Sequence, residues 1–311
     1  MDITSYRYCH LCPRSCGADR TAGKAGYCGE TAELRIASAS LHRGEEPPIT
    51  GTGGSGTIFV SGCNLGCVFC QNFQISRQAM GKPVSESEFA GICLVLQEKG
   101  AGNINIVTGS HAAPALAAGI DLAREKGLGI PVLWNSSGYD GVESLAILKD
   151  RIDVYLPDLK TLDSGIAKRF FNAPDYAEHA AAAIKKMMEY RELKYDGERL
   201  VSGVMVRHLA LPGCLEATRE VLGWFAEHCK GRALLSLMTQ YTPVGSGKNI
   251  PDRYVSETEY ETMLGWLEEF GIEDGFCQEL AAGSEWLPDF NKSNPFSSEL
   301  SSPVWHWQDK F

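Results

Sequence analysis

Between residues 57 and 270, short apolar runs alternate with longer segments whose apolar positions recur every three or four residues. The runs at 57–60, 104–107, 131–134, 154–156, 203–207 and 234–237 are rich in Val, Ile and Leu and too short for helices, so they predict six buried strands. The segments between and after them predict helices. Ser85 and Glu88 form a capping box ahead of Phe89, Ile92, Cys93 and Leu96 at helical spacing, and Gly100 ends that helix. Further helices are expected at about 114–126, 142–148, 176–191, 216–228 and 257–270. Six strands each followed by a helix imply parallel pairing with right-handed crossovers. They fall short of the eight of a closed barrel. The expected fold is therefore α/β, a partial (βα)6 barrel over 51–270, with a cysteine-rich extension at 1–50 and an irregular tail at 271–311 that covers the open edge. In such a sheet, chemistry belongs at the C-terminal ends of the strands.

Composition narrows the function. The chain has 311 residues, 44% of them hydrophobic, enough for one full core, and a net charge of -10 that argues against a dominant nucleic-acid contact. No apolar run reaches eighteen residues and the first four residues open no signal peptide, so a cytoplasmic protein away from the membrane is expected. The glycine run at 51–56 lacks the lysine of a triphosphate loop. It follows His42-Arg43-Gly44-Glu45-Glu46-Pro47-Pro48, read as a polar connector.

Seven of the eleven cysteines fall in two tight groups, which favours metal ligation over disulfides. Cys63, Cys67 and Cys70 are spaced C-x3-C-x2-C just after the first strand, with Gly62 and Gly66 letting the backbone curl around a bulky core. A closed iron-sulfur site takes four cysteines, so three imply a cubane with one iron left open. Cys9, Cys12, Cys16 and Cys28 can form a separate closed site holding zinc or an auxiliary iron-sulfur cluster. Cys93, Cys214, Cys229 and Cys277 are expected to be buried or incidental. The strand exits are polar: Thr108 to His111, Asn135 to Tyr139, Asp158 to Lys160, His208, and Thr239 to Tyr241.

C-x3-C-x2-C with an aromatic residue, Phe69, before the last cysteine resembles the cluster loop of the radical S-adenosylmethionine (radical SAM) superfamily. The resemblance implies a [4Fe-4S] cluster on Cys63, Cys67 and Cys70 whose open iron chelates SAM. A flavodoxin- or ferredoxin-type donor would reduce it, and cleavage to methionine and a 5′-deoxyadenosyl radical would drive hydrogen abstraction. It also implies Phe69 near the adenine and Gly100 to Asn103 against the methionyl end of the cofactor. Asp158-Leu159-Lys160 resembles the D-x-K motif of glycyl-radical-enzyme activases, in which the acid helps to bind the cofactor carboxylate through a cation and the lysine sits by it. Asn135 and Ser137 are candidate ribose or carboxylate partners, and His208 is a donor to the cofactor or an ordinary strand-end histidine. Cys12-Pro13-Arg14, Gly62-Cys63-Asn64-Leu65, Tyr155 to Lys160, Val206-Arg207-His208-Leu209 and Leu211-Pro212-Gly213 together resemble the iron-sulfur homologues of pyruvate formate-lyase activating enzyme. That likeness implies a protein or peptide substrate. The competing class is an electron-transfer or metal-sensing protein that leaves SAM intact.

Overall fold

The computed structural model describes residues 4–244, 250–280, 283–284 and 286–309. Its strands are β1 (Arg35–His42), β2 (Ser55–Val60), β3 (Lys82–Pro83), β4 (Ile104–Val107), β5 (Val132–Ser136), β6 (Val154–Pro157), β7 (Lys194–Asp196), β8 (Arg199–Leu209), β9 (Leu234–Met238), β10 (Gly275–Cys277) and β11 (Ser301–His306). Along one sheet they run β10-β9-β8-β6-β5-β4-β2-β1-β11, with β3 on β1 and β7 on β8. All six expected strands are neighbours in chain order, and every pairing from β2 across to β10 is parallel. This is the α/β architecture expected from the apolar runs. The helices are α1 (Thr4–Arg7), α2 (Pro47–Thr50), α3 (Phe73–Ser76), α4 (Glu86–Glu98), α5 (Ala113–Glu125), α6 (Val142–Leu148), α7 (Ser164–Phe171), α8 (Tyr176–Tyr190), α9 (Leu215–His228) and α10 (Glu257–Glu269).

The remaining strands were not expected, and β3 and β7 are short additions at the margins. β1 pairs antiparallel with β2 on one side and with β11 on the other. Its Ala37-Ser38-Ala39-Ser40 core is buried yet made of small residues with weak strand preference, so its pattern gives no signal. β11 lies in the tail and builds an edge, while β10 extends the parallel sheet beyond β9.

The core is continuous between sheet and helices. Ile58, Ile106, Trp134, Tyr155 and Val206 pack against Phe89, Leu116, Ile184 and Phe225. Cys93 is fully buried there and Cys229 likewise, whereas Cys214 and Cys277 are half-buried. The Ser85 capping box on α4 is present, and α10 carries a second one between Ser256 and Glu259.

Glu259 also accepts from Gly213 N–H at 2.8 Å and from both terminal nitrogens of Arg253. The Arg253 bonds, the Ser256 and Gly213 donors and the cap geometry hold its carboxyl at about 2, below the ordinary 4.5. A depressed carboxyl contributes stability that is full above pH 4.5 and is lost as pH falls toward 2. Glu259→Gln should therefore lower stability by about 1 kcal/mol at neutral pH, the scale of a lost cap. Thermal melts of the two proteins should converge as pH falls through that window.

Candidate active site

The cluster loop follows directly from β2. Gly66 turns it at φ +76°, and a Cβ there would collide with the Arg77 guanidinium. The loop is tied down on every side. Cys63 N–H donates to Cys28 O at 3.2 Å, Val68 N–H to Phe170 O at 2.9 Å, and Gln71 Nε2 to Gln240 O at 3.0 Å. Arg14 adds a fork: Nε and Nη2 donate to Asn64 O and Leu65 O, both at 2.9 Å, while Nη1 and Nη2 reach Asn172 O and Phe171 O at the end of α7. The N-terminal segment thus grips the loop directly.

Cys63, Cys67 and Cys70 line a cavity of about 260 Å³ at the C-terminal ends of the strands. Phe69, Asn135, Ser137, Asp158 and Lys160 share it. Lys160 Nζ meets Asp158 Oδ2 at 2.6 Å. Burial alone would depress this lysine, but the Asp158 charge and the Cys67 sulfur hold it above the usual range. Burial pushes the Cys67 thiol far up against the pull of Lys160, and it raises Cys70 as well. Thiols in such a place become thiolates when metal supplies the compensating charge.

The exits of β5 and β6 are held together by one phenol. Tyr176 Oη shares its proton between Ser137 O at 2.8 Å and Asp158 O at 2.9 Å, and accepts from Lys160 N–H at 3.0 Å. Beneath it, Ser136 donates to buried Asp140, whose carboxyl is raised by that burial. Tyr176→Phe would leave this set short of its bridging group. A loss of about 1–3 kcal/mol is expected, read by chemical denaturation, together with weaker SAM binding.

Three residues expected at the cofactor lie elsewhere. Gly100 and Asn103 precede β4 and so sit at the opposite end of the sheet; Asn103 accepts from Ser55 Oγ at 2.7 Å and donates to Ile49 O at 2.7 Å. The corresponding exit residue in the cavity is Thr108, with φ +63°. His208 is buried outside the cavity, its Nδ1–H donating to Leu159 O at 2.7 Å and its Nε2 accepting from Thr218 Oγ1 at 3.0 Å. Other wall residues were not singled out as site residues from the sequence: His42, Glu45, Arg207, Trp286 and Phe296, although Arg207 stands in the Val206-Arg207-His208-Leu209 phrase and Trp286 in the covering tail.

The donor chemistry fits an iron-sulfur cluster. Three thiols from one loop face one cavity, Leu65 N–H donates to Cys63 Sγ at 3.4 Å, and Asn72 N–H is directed at the Cys70 sulfur. Among the described residues no three His, Cys, Asp or Glu side chains are drawn together tightly enough for a single metal ion. A cluster, whose ligands sit on separate irons, spreads its thiolates more widely than one tetrahedral ion does.

Residues 57–204 match the family model of the radical SAM superfamily. That stretch is a radical SAM domain. The chain's relatives include the uncharacterized protein MJ0674 of Methanocaldococcus jannaschii, 29% identical over 277 residues, which are 86% of this chain and 76% of that protein. The fold resembles Streptococcus suis SuiB in its complex with S-adenosylmethionine, with TM-score 0.50 and 16% identity over 70% of this chain. The match covers 48% of SuiB, so this chain spans about half of that protein's length. Methylornithine synthase (PylB) matches with TM-score 0.50 and 12% identity over 75% of both chains. A radical SAM domain implies a [4Fe-4S] cluster and SAM, and Cys63, Cys67 and Cys70 are the residues here that suit the cluster.

Proposed function

We propose that this protein abstracts hydrogen from a peptide or protein substrate, in the manner of the glycyl-radical-enzyme activases or of peptide-modifying radical SAM enzymes. The observation that carries the reading is the convergence of Cys63, Cys67 and Cys70 with the Asp158–Lys160 pair in one cavity at the strand ends. When bound, the cluster and SAM supply a one-electron cleavage that yields methionine and a 5′-deoxyadenosyl radical. The chain's own residues orient and enclose. Phe69, packed edge-on against Phe170, Phe171 and Tyr241 at 5.6–6.0 Å between centroids, offers a rigid apolar wall for the adenine. Lys160, with one of its three donors on Asp158, has others to turn to the SAM carboxylate, with Asn135 and Ser137 beside it. Trp286 and Phe296 from the tail roof the cavity and shield it from water.

A second cavity of about 410 Å³ adjoins the first through Gly44, Glu45, Arg207, Met238, Gln240 and Trp286. An extended substrate, more than a compact metabolite, would make use of both cavities across these shared residues. In the N-terminal segment, Cys12 and Cys16 each accept the N–H of the residue two positions on, an arrangement that suits thiolates bound to metal, while the Cys28 thiol reaches Glu30 O at 4.0 Å. The segment is read as a zinc or auxiliary iron-sulfur site formed with Cys9, whose thiols draw together only when the metal binds, and a flavodoxin- or ferredoxin-type protein as the electron donor. No described helix is long and apolar enough to cross a membrane.

The test is deuterium transfer from a labelled candidate peptide into 5′-deoxyadenosine by the anaerobically reconstituted, reduced protein. Transfer supports the reading. A cluster that takes up an electron and leaves SAM whole would show an electron carrier instead.

A further inference from the structure

The connector after β1 forms a wall of the active-site cavity. Glu45 and Glu46 both fold back onto Arg207 of β8, 162 and 161 positions away. Arg207 Nη2 meets Glu45 Oε2 at 2.6 Å, and Nε and Nη2 grip both oxygens of Glu46, with Nε to Oε1 at 2.9 Å. The side chains of Arg207, Glu45 and Glu46 are only 7, 11 and 10% exposed. Two carboxylates therefore share one guanidinium, and a net negative charge is buried where charge is costly to leave uncompensated.

Geometry says which carboxylate carries the surplus. Glu46 takes the bidentate grip of Arg207 and touches only the outer cavity. Glu45 keeps one bond to Arg207 and one from Asn105 Nδ2 at 2.9 Å, and it lines both cavities. His42 lines the same inner cavity and is 8% exposed; its Nδ1 has no hydrogen-bond partner among the described residues. Burial depresses this ring, against the pull of Glu45, so it stays neutral and does not balance the charge. With its proton on Nε2, the ring presents an acceptor at Nδ1. The wall thus offers acceptors and one unbalanced negative charge.

We propose that Glu45 and His42 form a subsite for a primary ammonium of the substrate, such as a lysine side chain, beside the carbon that loses hydrogen. An ammonium brings three donors, no acceptor and one positive charge, which is what this wall lacks. The inference rests on the hydrogen-abstraction reading above for the substrate's presence in this cavity. Substrates whose reacting residue lies next to a lysine would be preferred.

The experiment uses two ligands, N-acetyl-lysine amide and the uncharged N-acetyl-norleucine amide, and follows saturation-transfer NMR on the full reconstituted chain with SAM present. The lysine compound should show transfer and the norleucine compound little. In Glu45→Gln the lysine compound should bind roughly thirty-fold more weakly, the least that loss of a buried charge partner brings. SAM affinity of that variant should be unchanged. The variant retains the Glu46–Arg207 pair, and the amide it introduces can donate to Asn105 Oδ1, which has no partner among the described residues, so its melting temperature should match or exceed that of the native protein. Equal binding of the two compounds, or binding of neither, overturns the subsite, whatever the variant does. A parallel loss of SAM affinity in Glu45→Gln overturns it too, by assigning the charge to the cofactor's sulfonium. Lysine selectivity without any release of 5′-deoxyadenosine would sink the radical reading while leaving the subsite standing.

Discussion

Cys67→Ala, reconstituted with iron and sulfide in the absence of oxygen, is expected to release no 5′-deoxyadenosine from SAM under reduction. Cys12→Ala is expected to retain release within about tenfold of the native protein. The asymmetry follows from position. Cys67 lies in the cavity with Lys160 and Asp158, so its loss removes one of three thiols that suit the cluster. Cys12 lies outside that cavity and acts on it through neighbours. Arg14, two residues on, holds the carbonyls of Asn64 and Leu65, and Cys28 O receives the Cys63 N–H. A slackened N-terminal segment would weaken bonds worth about 1 kcal/mol each, roughly a fivefold effect apiece. Iron content and product release, measured on the same samples, check both outcomes. Equal abolition in the two variants would make the N-terminal cysteines part of the catalytic centre.

Most of this scaffold is written locally in the sequence. β2, β4, β5, β6, β8 and β9 are compact apolar runs, and their order and parallel sense follow from the helices between them. The cysteine loop is equally legible, because its spacing lies within eight residues of chain. What escaped reading depends on partners far away or on direction. Glu45 and Glu46 look like a solvated connector until Arg207 is brought to them. Gly100 and Asn103 precede their strand and so fall at its N-terminal end, whereas Thr108 leaves it toward the cavity. Arg207 and His208 are adjacent on β8, and successive strand residues face opposite ways. The arginine therefore enters the cavity while the histidine turns to Thr218 on α9. A strand-exit motif alone does not say which of the two is the functional one.

Arg207→Met is expected to have the largest effect on stability of any single substitution considered, a loss of about 3–5 kcal/mol. Removing the guanidinium would leave Glu45 and Glu46 facing each other, both at about one-tenth exposure, with neutral donors alone beside them among the described residues: Asn105 on Glu45 and Ser236 on Glu46. The guanidinium is itself held charged: burial works against it, and the two carboxylates raise it well above its ordinary range. Burial would raise the Glu46 carboxyl, but the Arg207 charge and its hydrogen bonds hold it below the usual range. If the cost is uncompensated charge rather than lost packing, Glu45→Gln and Glu46→Gln added to Arg207→Met should restore most of the loss, since the triple variant buries no net charge. Urea unfolding of the single and triple variants decides between the two causes. A triple variant as unstable as Arg207→Met would mean that the arginine's stem, packed between β8 and the connector, matters more than its charge.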